Sequence, residues 1–382
     1  MAVIIERKEG KTKRKDYLAV DKTRIHQQYK SILLSILFIS IIVSSGCLDN
    51  KFFESKITYE KSPVQVSYDL SYGYQVNITG NGKATVFYQE YIPQSKQGTI
   101  YSIEINPFQQ TQDQQNTNQL IIWNQTIQNT SNHSYQISSS IIQNPILIQD
   151  LTGENALTIA QIKQQYPEIV KSYCHSMGNE TQTIINPNHP LLSTLAQTVK
   201  DQADTTNAFL LGKQLFSWLK NNTQYEKHGT YQPQPADETY EKGVGDCDDL
   251  TYLYLSLCKA VGIPSRYIKG YLISNNTAIP HVWAELFVGN EMSENGWIPV
   301  ECAGTGSSTS EIHNNYGVED AQHIRLCVDD GTNETFQKLT NPLQIRYDQR
   351  LDVNINRVEQ VNNYTILSSK QLIIKENQRT FE

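Results

Sequence analysis

The chain has 382 residues, enough for two or three compact units. Its net charge of −7 is unevenly placed: the first thirty residues hold nine basic and four acidic side chains, so residues 31–382 carry −12. That acidity argues against nucleic acid or anionic lipid as a partner of the later part and is consistent with a solvated surface.

Residues 1–30 form a basic N-region, and residues 31–47 (SILLSILFISIIVSSGC) are an apolar run ending in small residues, the pattern of an export signal. As a helix this run spans roughly 25 Å, short for a bilayer core and ordinary for a signal. Two outcomes stay open: Ser44-Ser45-Gly46-Cys47 resembles a lipoprotein box that lipidates Cys47, or the segment persists as an anchor. Both keep the basic end inside and leave the rest membrane-anchored and facing outside the cell.

From residue 60 to 150 the pattern is β, with Val64, Val66, Tyr68 and Leu70, then Tyr72, Tyr74, Val76 and Ile78, alternating with polar residues before an Asn81-Gly82 turn. Strand-like runs recur at KATVFYQEYIP, GTIYSIEI and QLIIWNQTI, which together predict an all-β sandwich. A helical connector follows over 151–203, with helical periodicity over about Ala156–Val170. A second helix over Asp204–Asn221 places Ala208, Leu211, Leu215 and Leu219 on one face.

Residues 204–310 hold the chemistry. Asp246–Ala260 predicts a helix closed by Gly262 and Pro264, followed by strands at RYIKGYLI, HVWAELFV and GWIPVEC. Helix followed by strands indicates an α+β unit. A β extension, with short strands near His323–Val328, Leu343–Tyr347 and Tyr364–Ile374, occupies 311–382.

A cysteine nucleophile attacks as thiolate, and Cys247 sits at a helix start, where free N–H groups and the positive dipole end favour that form. Asp246, Asp248 and Asp249 oppose it, so a base is required. His281 opens a predicted strand that aligns His281, Trp283, Glu285 and Phe287 on one face. Glu301 ends the next strand, where its carboxylate accepts the His Nδ1–H and orients the ring. The Cys247 backbone N–H is the natural oxyanion donor. Taken singly, such a cysteine, histidine or carboxylate is more often core filler or solvated surface than catalyst.

The joint pattern YEKGVGDCDDLTYLYLSLCKAVGIPSRYIKGYL, then HVWAELFV, then GWIPVEC resembles the transglutaminase-like superfamily. The shared residues are Gly243, Gly245, Cys247, Gly262, Ile263, Pro264, Arg266, His281, Trp283, Glu285, Trp297 and Glu301. The resemblance implies a papain-like core with a helix bearing Cys247 packed on an antiparallel sheet, and a Cys247–His281–Glu301 triad acting on amides through an acyl-enzyme. Glu301 departs from the family's usual Asp by one methylene. The stretch YGVEDAQHIRLCVDDGTNETF resembles the extension after such cores and is expected to bring no catalytic residue.

Trp283 and Trp297 are expected to pack in the core, Arg266 to be structural, and Cys258 to be core or disulfide. Cys174, Cys258, Cys302 and Cys327 permit three pairings. No metal or other cofactor is expected: no C-x-x-C pair occurs, Cys174, Cys247 and His281 match no zinc spacing, and the Asp cluster lacks an EF-hand's Gly and distal Glu. The expected partner is a protein, peptide or cell-envelope amide, hydrolysed in preference to being transferred. Gln–Lys crosslinking and a non-catalytic surface-binding module on the same scaffold are the alternatives.

Overall fold

A computed structural model describes residues 56–179, 181–227, 233–289, 291–304, 306–340 and 342–382. The basic N-region, the 31–47 segment and Cys47 lie outside the described residues. Among the described residues no helix is long and apolar enough to cross a membrane.

The alternation from Ser62 becomes strand β1 (Ile57–Gly80), which turns Val66, Tyr68, Leu70 and Tyr72 inward with at most 1% exposure. It is followed by β2 (Lys83–Tyr91), β3 (Gly98–Asn106), β4 (Gln119–Gln128) and β5 (Ser131–Gln143). β5 pairs with both β1 and β3, while β2 pairs with β4 in a separate sheet. Apolar side chains of the two sheets interdigitate, and the Tyr88 ring stacks on Trp123 at 5.0 Å between centroids.

The predicted 156–170 helix is two helices, α1 (Ile159–Gln165) and α2 (Pro167–Tyr173). Pro167 has no N–H to continue α1 and has the fixed φ that suits a first helical position, so it starts α2. α3 (Pro190–Ala203) falls within the connector expected to be helical, whereas α5 (Ala236–Lys242) was not predicted. Between them α4 (Ala208–Asn222) buries Ala208, Leu211, Leu215 and Leu219, as their spacing predicts.

Helix α6 (Cys247–Ala260) is buried at every position from Asp249 to Lys259. A helix buried on all sides belongs inside a layer stack, here with Asp249, Thr251, Ser256 and Lys259 among its buried residues. Accordingly α6 contacts α3, α4 and α5 as well as strands β6 (Ser265–Ser274) and β7 (Thr277–Phe287). Truncating Leu253 or Leu257, both fully buried there, to Ala is expected to cost about 2–5 kcal/mol.

Strand β8 (Trp297–Val300) flanks β7, helix α7 (Thr309–Asn315) follows, and β9 (His323–Val328) pairs with β6. The chain ends with β10 (Leu343–Tyr347), β11 (Leu351–Lys375) and β12 (Gln378–Phe381). β10 adds to β2, and β11 runs antiparallel along β1 from Leu351–Gly80 to Ile374–Ile57. One nine-stranded sheet results, ordered β9-β6-β7-β11-β1-β5-β3, with β8 on β7 and β12 on β11. β7 and β11 meet at one residue pair, Thr277 with Gln360. The architecture is α+β, with a Cys-bearing helix on an antiparallel sheet and an all-β N-terminal region.

Candidate active site

The site forms where the start of α6 meets the middle of β7. Asp246 caps α6 through a reciprocal capping box, in which the Asp246 N–H donates to Asp249 Oδ2 at 3.1 Å. Asp249 is fully buried and also accepts the Gln234 backbone N–H at 2.7 Å and its side-chain amide at 2.8 Å. This one carboxylate therefore ties the preceding loop to the helix start. A Cβ on Gly245 would lie 2.6 Å from the Asp249 Cβ, so the residue two before the cysteine has to be glycine.

Cys247 is the first residue of α6 and is half-buried. Its sulfur accepts from the backbone N–H of Val282, which seats the thiol beside the residue next to His281. Burial, followed by the charges of Asp248 and Asp246, pushes the thiol up to about 12. At neutral pH the sulfur therefore holds its proton, and a base must remove it during attack. Burial and the neighbouring Asp246 raise Asp248 well above the carboxylate range, which lightens the negative charge around the sulfur.

His281 does not open its strand as expected: β7 begins four residues earlier, at Thr277. β8 covers β7 only from Ala284 to Phe287, so His281 lies beyond the end of that pairing. The Nδ1 expectation is corrected as well, because the atom facing Glu301 is Nε2, at 2.6 Å from Oε2. A carboxylate only accepts, so Nε2 carries the proton and Nδ1 is left for the thiol.

Glu301 reaches His281 despite its additional methylene. Its Oε1 accepts the Ala303 N–H at 2.7 Å, and the buried Lys220 ammonium donates to the Ala303 and Gly304 carbonyls at 2.8 and 3.1 Å. The turn after β8 is thereby held rigid, and the longer side chain folds back within it. Burial alone would raise the Glu301 pKa, but His281 and His323 outweigh it and hold the carboxyl below its ordinary value.

His323 is the residue missed by sequence reasoning. The 316–336 stretch was expected to bring no chemistry, yet His323 Nε2 lies 2.9 Å from the Glu301 Oε2 that serves His281. Its Nδ1 lies 2.7 Å from Asp320 Oδ1. Both ring nitrogens face carboxylates, so both are donors and the ring is an imidazolium. Burial opposes that charge, while Asp320 and Glu301 outweigh the burial and raise the pKa well above the usual histidine value. Gly270 lets β9 come this close, since a Cβ there would be 1.9 Å from the Ile324 carbonyl oxygen. Gly270 lies near the end of the string that carries Cys247, but nothing in it points to His323, which lies outside all three strings.

Tyr225 was missed too. It lies beside Gly245, partly exposed, and its phenol is raised by burial and by the neighbouring Cys247, Asp246 and Glu301 charges. Trp283 and Trp297 are buried, and the Trp283 indole donates to Glu319 at 2.9 Å. Arg266 pairs with Glu285 at 2.6 Å and lies 4.0 Å over the Trp297 ring. Cys174, Cys258, Cys302 and Cys327 are free thiols, so none of the three pairings forms. His281, Glu301 and His323 have the composition of a metal triad, but their separations are those of hydrogen bonds to a shared oxygen.

YebA of Bacillus subtilis (strain 168), described only as an uncharacterized protein, is 23% identical over 281 residues, which are 68% of this chain and 33% of YebA. The chain thus spans about a third of that relative's length. Among solved structures, a Cytophaga hutchinsonii protein carrying a cysteine-protease designation aligns with 85% of this chain and 100% of its own at 13% identity and TM-score 0.46. The periplasmic domain of TgpA from Pseudomonas aeruginosa aligns with 66% of this chain and 94% of its own at 11% identity and TM-score 0.31. Red sea bream transglutaminase aligns with 78% and 77% at 9% identity and TM-score 0.30. Residues 193–302, which hold Cys247, His281 and Glu301, match the core model of the transglutaminase-like superfamily.

Proposed function

We propose that the protein is a membrane-tethered cysteine enzyme facing outside the cell, which cleaves peptide or isopeptide amides through a thioester and hydrolyses the intermediate. The observation that carries this reading is the seating of Cys247, at the start of a helix, against Val282, whose chain neighbour His281 has its Nε2 held by a buried carboxylate.

In the first step His281 Nδ1 takes the Cys247 proton as the sulfur attacks the substrate carbonyl carbon. The oxygen gains the negative charge, and the Cys247 backbone N–H at the helix start is placed to donate to it. The tetrahedral species collapses, the C–N bond breaks, and the imidazolium returns its proton to the leaving amine. Water then attacks the thioester, His281 again accepts a proton, and carboxylic acid and free thiol are released. Throughout, Nε2–H stays on Glu301, which stabilises the transient imidazolium without itself becoming protonated.

The test is release of free amine from a panel of peptide amides by the purified protein, with mass spectrometry to trap the acyl-enzyme. Turnover should vanish in Cys247→Ala, and the trapped mass should map to Cys247. Equal release by the variant would overturn the assignment. Adding a primary amine distinguishes acyl transfer, which yields an amine-linked product, from hydrolysis.

A further inference from the structure

About 13 Å along β7 from His281, at roughly 3.3 Å per residue, lies a second polar centre that the proposed reaction does not use. Glu285 is completely buried and receives three cations: Arg266 at 2.6 Å, Arg325 at 2.8 Å and Lys96 at 3.3 Å. Arg325 also pairs with the buried Glu319. Three cations therefore share two carboxylates, leaving one positive charge in excess. Burial favours the neutral form of Glu285, but Arg325, Arg266 and Lys96 outweigh it and keep the carboxyl well below its ordinary range.

These cations border a cavity of about 460 Å³, whose wall also carries the Asn116 and Asn295 amides. That volume suits a small molecule. The cations are held rather than mobile: Arg266 is clamped between Glu285 and the Trp297 face, with Nε and Nη2 on one Glu285 oxygen. A guanidinium carries five N–H donors, so capacity for a ligand remains. Lys96, the most exposed of the three at 19%, stands at the cavity edge. A purely structural partner set for Glu285 requires neither the third cation nor the open space before it. In an acidic chain, an unbalanced positive charge bordering a cavity whose wall also carries amide groups is a complementary site for an anion.

We propose that this cavity is an oxyanion-binding site, separate from the Cys247 cleft, that takes a carboxylate or phosphate group. The site does not depend on the proposed reaction.

The test is calorimetric titration of the full-length purified protein with sodium phosphate and, separately, sodium propionate, at constant ionic strength set with chloride. Saturable binding of at least one is expected, and the tighter probe identifies the group. Lys96→Gln should weaken binding at least tenfold, and Asn295→Asp should do likewise. The latter preserves the acceptor for the Trp297 N–H while placing a negative charge in the wall. Cys247→Ala should bind as wild type. Absence of saturable binding by either probe, unchanged affinity in both cavity variants, or loss of binding in Cys247→Ala would each overturn the proposal.

Discussion

Strand β7 carries two charged centres four residues apart, and their partners differ in kind. Glu301, beside His281, is held by two histidines, whereas Glu285 is held by two arginines and a lysine. Imidazoles gain and lose protons near neutral pH, while guanidiniums do not. The first centre can take part in proton transfer, and the second is a fixed charge that anchors the sheet and faces a cavity. Burying a carboxylate does not decide its role; the titration of its partners does.

The largest effect expected is on chemistry at the first centre. Cys247→Ala should remove turnover, and Glu301→Gln should lower kcat by about 10²–10⁴, as when the orienting acid of a triad is neutralised. Steady-state kinetics on a cleaved amide checks both, and wild-type-like turnover in Glu301→Gln would remove that residue from the triad. His281→Ala should slow iodoacetamide modification of Cys247, because the thiol, pushed up to about 12, then has no base to take its proton.

The second centre should respond in stability instead. Glu285→Gln leaves two buried arginines short of a partner and should cost about 3–5 kcal/mol in urea unfolding. Lys96→Gln, at the cavity edge, should cost less than about 1 kcal/mol. If the two changes cost the same, the contrast between core clamp and cavity edge fails.

His323 offers a smaller and sharper distinction. His323→Gln keeps a donor toward Glu301 but removes the positive charge, and should reduce kcat by about tenfold. It should also change the pH dependence of stability. Glu301 and Asp320 are held below their ordinary values, so their contribution is present above about pH 4 and is lost as pH falls through the lower folded values. His323 is raised, so its contribution is complete below about pH 6.5 and is lost as pH rises through its folded value. Melting temperatures of wild type and His323→Gln should therefore differ most near pH 5–6 and converge in alkali. A pH-independent difference would assign His323 a packing role alone.

Much of the first centre was legible because it is encoded locally. Cys247 starts a helix, His281 lies on a strand and Glu301 directly follows the neighbouring one, and each has its own motif and spacing. The tautomer was not legible, because which nitrogen meets the carboxylate depends on the orientation of the His281 ring across the sheet. β11 shows the same limit for the fold. Only its Tyr364–Ile374 part was predicted, because much of the strand faces solvent and carries polar residues with no alternation. Its partner β1 is nearly three hundred residues away and is joined through backbone hydrogen bonds that any side chains permit.

By itself the sequence determined the α+β class, the helix with its N-terminal cysteine, the strand carrying His281 and the one that Glu301 follows, because periodicity and capping act within a few residues. Only the tertiary structure decided that His323 and Asp320 stand behind Glu301, and that Lys96, Arg266 and Arg325 converge on Glu285. Those placements are set by strand register and close backbone approach between distant segments, and charge interactions across such distances leave no periodic trace in the chain.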